Sequence, residues 1–372
     1  MIDHVTSNQA TTIEVLEAMQ DAAKFCSLDA DDLTANQAES ILGSRDFAIE
    51  LTGNVLTALV RSTDGPVSLC CSIQQPMFRV GQSPIWVARF RLIEAPRTLL
   101  TLVPTIAETP RFDLMLSWRG PAAPEKPREV AYKDLQGKFV ERSIFSKALN
   151  QTRLVTAYLP PSWKAGETYP AVFFADGATS TFMMAIEELI QSRSIPPVVL
   201  ISAEAGAEGM AGASEAEKSM QTELRAQEYL PGWSKDDRFD RHLEFFADEL
   251  VTWAIKEFGV SPDPRQHSVA GYSNGGVFAV FAALRKPDFF MHAISMSPGL
   301  FLPEPEDVRG RKPSIYISAG LYEPGMLQGA KGIGARLKSL GIPTEINVYA
   351  AGHFQDQWKI ALAAALERIF PK

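Results

Sequence analysis

No stretch of this 372-residue chain approaches the roughly 18 consecutive apolar residues of a membrane helix, so no membrane partner is expected. Cysteine is scarce. Cys26, Cys70 and Cys71 are the only three, two of them adjacent, and they form no framework of spaced pairs. That excludes a disulfide scaffold and fits a reducing compartment. There is no C-x-x-C, no H-E-x-x-H and no His/Cys cluster at ligand spacing, so neither a metal site nor a cofactor is expected. Positive charge is in deficit too: 36 Lys and Arg against 44 Asp and Glu leave a net charge of −8. A general nucleic-acid binder would need a basic face, so that class is set aside. The N-terminal MIDHVTSNQATTIEVLEAMQDAAKF lacks the basic start and apolar run of a signal peptide, and a cytoplasmic protein is expected.

What the chain does have is ordinary core material, 46% hydrophobic and 22% charged residues, with a length that suits two domains. Ile13, Leu16, Met19 and Ala23 carry a short helical stripe. From about Asp46 the pattern changes to short alternating or β-branched runs, FAIELTG, VLTALVRS, PVSLCCSI, IWVARFRLIE, TLLTLVP and FDLMLSW, punctuated by Gly, Pro, Asp and Ser. Residues 1–120 therefore read as a small N-terminal β-sandwich with a helical leader. The proline-rich PAAPEKP, residues 121–127, reads as a semi-rigid linker.

Residues 128–372 have a different rhythm. REVAYKD, GKFVERSIF and RLVTAYLPP suggest a strand pair or meander. Buried strands (YPAVFFADG, PVVLISAEA, HSVAGYS, AISMSP, SIYISAG, INVYAAG) then alternate with helical segments up to the terminal QWKIALAAALERIF. That alternation predicts a mostly parallel sheet covered on both faces, an α/β domain.

The chemistry lies in that second domain. Gly271-Tyr272-Ser273-Asn274-Gly275 matches G-x-S-x-G, with an apolar strand before it and a helix after it. A nucleophile on a cramped strand-to-helix turn needs small neighbours, and the helix start favours developing negative charge. A small-residue turn packing a helix on a strand is the bland reading of the same letters. Ser273 is the candidate nucleophile, which gives the domain an α/β-hydrolase reading. A serine hydroxyl needs a base, expected later in the chain after the acid. Of five histidines only His292 and His353 follow Ser273. His292 precedes strand AISMSP, at the wrong sheet edge, whereas His353 follows INVYAAG at the carboxyl edge, where sites form. Glu323, after strand SIYISAG, is the candidate acid, with Asp356 and Asp307 as rivals. The oxyanion would be met by the backbone amides of Asn274 and of Ala178, after the Asp176-Gly177 turn.

These segments together resemble the esterase-D-like hydrolases and, more narrowly, the enterochelin (ferric enterobactin) esterases. The resemblance rests on Phe174-Ala175-Asp176-Gly177, IPPVVLISAEA at 195–205, Arg225-Ala226-Gln227-Glu228-Tyr229 and FFADELVTW. It continues through AGYSNGGVFAVFAALRKPDFF, SMSPG, SAGLYEP and AGHFQDQW. It implies an α/β-hydrolase domain behind an N-terminal β-sandwich. It also implies a small-molecule ester substrate, extending to the trilactone of a ferric catecholate siderophore. Arg225, Glu228, Tyr272 and Trp358 would surround that substrate, with Arg225 and Glu228 orienting the catalytic region. The sequence departs from the family at Ala351-Gly352-His353-Phe354, where Gly-Gly-His-Asp is usual. An acyl-carbohydrate or feruloyl-type esterase, with Trp86 and Trp118 as sugar-binding candidates, therefore stays open, as does a catalytically silent binding protein on the same fold. Oligomeric state is not legible.

Overall fold

The computed structural model describes residues 33–177, 179–206, 215–299 and 310–371, with 215–221 described by backbone only. The leader stripe at 13–23, Cys26, Ala178 and Asp307 lie outside the described residues. Two compact units emerge. The first gathers the described part of Met1–Glu125 with Ala319–Leu327 and Val348–Gln357. The second gathers Lys126–Ser318, Gln328–Asn347 and Trp358–Lys372.

The first unit starts with helix α1 (Ala35–Leu42). Thr34 caps it reciprocally: its hydroxyl accepts the Gln37 amide while Gln37 Oε1 accepts the Thr34 amide at 2.9 Å. Strands β1 (Phe47–Thr52), β2 (Val55–Arg61), β5 (Phe78–Arg79) and β6 (Ile85–Arg91) form an antiparallel sheet in the order β1-β2-β6-β5. Ala38 and Leu42 of α1 pack on Ala48, Leu59, Ile85 and Val87 of that sheet. A second antiparallel sheet holds β3 (Val67–Cys71), β4 (Gln75–Pro76), β7 (Leu99–Ile106), β8 (Thr109–Pro110) and β9 (Leu116–Arg119), with β7 between β3 and β9. β7 buries Leu99 through Pro104, as its continuous apolar run requires. Trp86 and Trp118 are both half-buried on their strands.

In the second unit REVAYKD does not make the expected strand. Tyr132–Asp134 is a single 3₁₀ turn, and the amides of Gln136 and Gly137 beyond it donate to the buried Glu187 carboxylate at 2.8 and 3.0 Å. With its backbone groups satisfied by a side chain, the segment has no need of a ladder. The eight-stranded sheet runs β10 (Lys138–Ser146), β11 (Gln151–Leu159), β13 (Val199–Ala203), β12 (Ala171–Ala175), β14 (His267–Tyr272), β15 (His292–Met296), β16 (Ser314–Gly320), β17 (Thr344–Tyr349). The β10-β11 and β11-β13 pairs are antiparallel, while β12, β13, β14, β15 and β16 are mutually parallel. Every residue of β12 and β13 is buried, the mark of strands covered on both faces.

The connecting helices are α2 (Thr179–Gln191), α3 (Glu215–Tyr229), α4 (Arg238–Glu244), α5 (Val251–Phe258), α6 (Asn274–Arg285), α7 (Pro324–Ser339) and α8 (Gln355–Ile369). A π-helical turn, Phe245–Leu250, links α4 to α5, so the long amphipathic segment is one rod with a widened middle. It ends at Gly259, whose left-handed φ of 69° stops the helix. No described helix is long and apolar enough to cross a membrane.

Candidate active site

Ser273 stands where β14 gives way to α6, at φ 54° and ψ −127°. A non-glycine residue in that region is strained and persists only where its surroundings over-determine it. Here they do. The Ser273 amide donates to the Met296 carbonyl at 2.9 Å, and the Ser273 carbonyl accepts from Gly276 at 2.9 Å and from Gly299 at 3.0 Å. The flanking glycines are demanded by space. A Cβ on Gly271 would stand 2.3 Å from the Gly275 carbonyl oxygen, and one on Gly275 would stand 2.8 Å from Asp176 Oδ2. Asn274 opens α6, where the first backbone N–H groups find no carbonyl within the helix and can serve an anion instead.

Asp176 follows β12 and is itself left-handed, at φ 66°. Arg225 of α3 clasps its carboxylate side-on, Nε to Oδ1 at 2.5 Å and Nη2 to Oδ2 at 2.7 Å. The Asp176 amide donates to the Tyr229 hydroxyl at 2.7 Å. The guanidinium fork is therefore engaged within the protein, and about a quarter of the Arg225 side chain stays exposed. Glu228 needs a correction as a substrate contact. Its side chain is fully buried, bonded to Arg153, to Arg238 at 2.7 Å and to the Gly206 amide at 2.7 Å. Burial pushes the Glu228 carboxyl up, but His242, Arg153 and the Gly206 amide outweigh it and hold the group at about 2. Glu228 thus ties α3 to β11 and α4, an orienting role without access to ligand.

Tyr272 stacks on Trp358 at 4.2 Å between ring centroids and 11° between planes. The Trp358 indole donates to Ser297 Oγ at 2.9 Å, and the ring is 8% exposed. Trp358 therefore backs Tyr272 and offers no free face to a ligand, which corrects its expected place among the substrate contacts. Tyr272 keeps a partly open position; burial, with Asp176 nearby, moves its phenol up to about 12.

In the first unit, His353 Nδ1 meets Glu323 Oε2 at 2.7 Å, with the two side chains only 14% and 3% exposed. The other carboxylate oxygen accepts the Gly320 amide at 2.5 Å and the Gln357 side-chain amide at 3.4 Å. A carboxylate on Nδ1 makes that nitrogen the donor and leaves Nε2 as the basic lone pair. Asp356 lies in the first turn of α8 and accepts from Thr101 Oγ1 at 2.8 Å. His292 begins β15, as its place before AISMSP implied.

Four residues with no motif to announce them support the Glu323–His353 pair. Ser72 accepts the His353 amide on its carbonyl at 3.1 Å, and a Cβ on Gly352 would stand 1.6 Å from that same oxygen. Thr98 shares a 2.6 Å hydrogen bond with the Tyr322 hydroxyl, beside Glu323. Thr101 holds Asp356, and the Leu99 amide donates to Ala350 at 2.8 Å. The strand turn after β3 and the start of β7 thus brace both loops. They are more than 200 positions away in sequence, so no local pattern could have flagged them.

The protein is similar to several known ones. "Uncharacterized protein YbbA" of Bacillus subtilis (strain 168) is 30% identical over 152 residues, 37% of this chain and 53% of that protein. The chain thus spans about half the length of that relative. Enterochelin esterase of Shigella flexneri superposes with a TM-score of 0.63 at 16% identity, over 89% of this chain and 97% of that one. A ferulic acid esterase of Anaeromyces mucronatus gives 0.53 at 12%, over 66% and 95%. At such identities the structural likenesses speak for the fold, which is of the α/β-hydrolase type. The model of the Esterase family, described as "Putative esterase", matches residues 146–369, from the end of β10 to the end of α8, and the chain belongs to that family.

Proposed function

We propose that the protein is a serine-dependent carboxylic ester hydrolase. The Ser273 hydroxyl attacks the ester carbonyl while His353 Nε2 takes its proton. Glu323 holds the imidazole and stabilises the imidazolium. The amides of Asn274 and Ala178 receive the oxyanion. The imidazolium then protonates the leaving alkoxide, and water, deprotonated by His353, releases the acid and restores Ser273. The observation that carries this reading is the 2.7 Å contact between His353 Nδ1 and Glu323, because an imidazole so tied exposes a base of one defined tautomer. The oriented helix start behind Ser273 supports it. No cofactor takes part.

Under this reading residues 1–120, with their two antiparallel sheets, are an N-terminal β-sandwich domain, 121–127 the linker, and 128–372 the catalytic domain of a cytoplasmic enzyme. The substrate is a small-molecule ester, and the catecholate trilactone of a siderophore, with its iron as cargo, is the specific candidate carried by the family resemblance. Parallel assays with short p-nitrophenyl esters and with iron-free and ferric catechol trilactones test it. Trilactone cleavage outpacing simple-ester turnover supports the siderophore substrate. Simple-ester turnover alone keeps the triad and moves the search to feruloyl or acyl-sugar esters. A protein that neither turns over any ester nor labels with a serine-directed phosphonate is a binding protein, and the proposal fails.

A further inference from the structure

Cys70 and Cys71 close β3, opposite Val103 and Leu102 of β7. Successive residues of a regular strand point to opposite faces, which would separate two adjacent thiols. Cys71 departs from that pattern: its φ is 79°, a left-handed value rare for a side chain of this kind. The two thiols are neighbours along the chain and shift each other's ionisation, and Thr105 acts on Cys70 as well. Both residues are free thiols and only half-buried, so a small reagent can approach them.

The next residue is Ser72, whose carbonyl receives the His353 amide at 3.1 Å. Ser72 is locked to β7, its amide donating to the Thr101 carbonyl at 3.2 Å and its hydroxyl accepting the Thr101 amide at 2.9 Å. Gly352 lies so close to the Ser72 carbonyl that even a methyl group has no room. A rotation of the Cys71 backbone therefore passes to the loop carrying His353 with no slack to absorb it. These contacts all lie within the first unit.

We infer that Cys70 and Cys71 are a redox-reactive vicinal dithiol whose oxidation to an internal disulfide displaces Ser72 and disables the His353–Glu323 pair. The inference rests on the proposed role of that pair. The oxidant is a hydroperoxide. One thiolate attacks the peroxide oxygen, giving a sulfenic acid and, for hydrogen peroxide, water. The neighbouring thiol then displaces the hydroxyl as a second water, forming the S–S bond. Two thiols lose two protons and two electrons, and the peroxide is reduced to two waters. Cys70 is the attacking thiol. The hydrogen bond from Cys71, against the effect of burial and with help from Thr105, brings Cys70 down to about 7, while the same contact pushes Cys71 up. Closing the bond joins the two sulfurs through a small ring that includes the Cys70–Cys71 peptide, and the specific geometry of a disulfide then constrains the backbone angles at Cys71.

The test uses the full chain carrying Cys26→Ser, treated with hydrogen peroxide and followed by intact mass and by p-nitrophenyl ester kinetics. The expected result is a loss of about 2 Da, a fall in kcat of at least about tenfold with KM changed by less than about twofold, and full recovery with dithiothreitol. Phenylarsine oxide, which bridges neighbouring thiols, should give the same loss without oxidation. Cys70→Ser, and independently Cys71→Ser, should retain untreated turnover and lose the sensitivity. If the disulfide forms and kcat does not change, or if peroxide gives no disulfide, the inference is overturned. Phosphonate labelling of Ser273 in the reduced protein separates the two failures: a reduced protein that never labels defeats the esterase reading, while one that labels and turns over but ignores oxidation defeats only the dithiol.

Discussion

The Glu323 carboxylate meets His353 Nδ1 at 2.7 Å, whereas Asp356, three residues beyond the histidine, is bonded by Thr101. Proximity in sequence and proximity in space disagree here. Under the triad reading, Glu323→Gln should lower kcat by about three orders of magnitude, since an amide on Nδ1 favours the wrong tautomer. Asp356→Asn should cost less than about tenfold, because it removes a brace and leaves the imidazole's partner in place. Steady-state kinetics on a p-nitrophenyl ester decide the matter, and the reverse order of losses would move the acid to Asp356.

Ser273→Ala should abolish turnover and phosphonate labelling while changing unfolding free energy by less than about 1 kcal/mol. The turn is held by backbone bonds to Met296, Gly276 and Gly299, none of which involves the hydroxyl. A denaturation midpoint that collapses in this variant would make Ser273 a structural residue.

Gly352→Ala should be far more damaging than its size suggests. The new Cβ would stand 1.6 Å from the carbonyl oxygen of Ser72, a residue already fixed by two bonds to Thr101 through its amide and hydroxyl. Overpacking of this kind costs about 1–3 kcal/mol and shifts the backbone. We expect a lower melting temperature together with loss of kcat; wild-type values of both would mean that the Ser72 brace yields freely.

Stability should fall as the solution turns acidic. His242 is fully buried beside Glu228, Arg153 and Arg238, and burial brings it from 6.5 down to about 4. Its unfolded form binds a proton at a higher pH than its folded form. Stability is therefore complete above 6.5 and is lost as pH falls towards 4, by about 2 kcal/mol at pH 5. Glu228, held at about 2 against an ordinary 4.5, adds a second loss below pH 4.5 with the same sign. Urea midpoints at pH 7 and pH 5 should differ accordingly, and His242→Phe should flatten the difference. Equal midpoints in the unaltered protein would contradict the burial argument.

The strand-to-helix turn at Ser273 was legible because its requirements are local. Strand, tight turn and helix occupy consecutive residues, and the glycines that the turn demands are letters in the motif, Gly271 and Gly275. The parallel sheet behaves likewise, since continuous apolar runs alternating with helical stripes imply one whatever the order of its strands. REVAYKD misled for a local reason as well. Its alternation suits a strand, but nothing in it reveals that Glu187 of α2, some fifty residues on, takes up the amides that follow.

By itself the sequence determined the two-part layout of short strands followed by strand–helix alternation, the elbow at Ser273 and the order in which His353 follows it, because periodicity, glycine placement and chain order are one-dimensional quantities. Tertiary structure alone decided which carboxylate touches His353, that Arg225 closes on Asp176, that Glu228 is sealed among arginines, and that Ser72 braces the histidine loop. A hydrogen bond needs two groups within about 3 Å, and no spacing along the chain encodes that distance once the partners come from different elements.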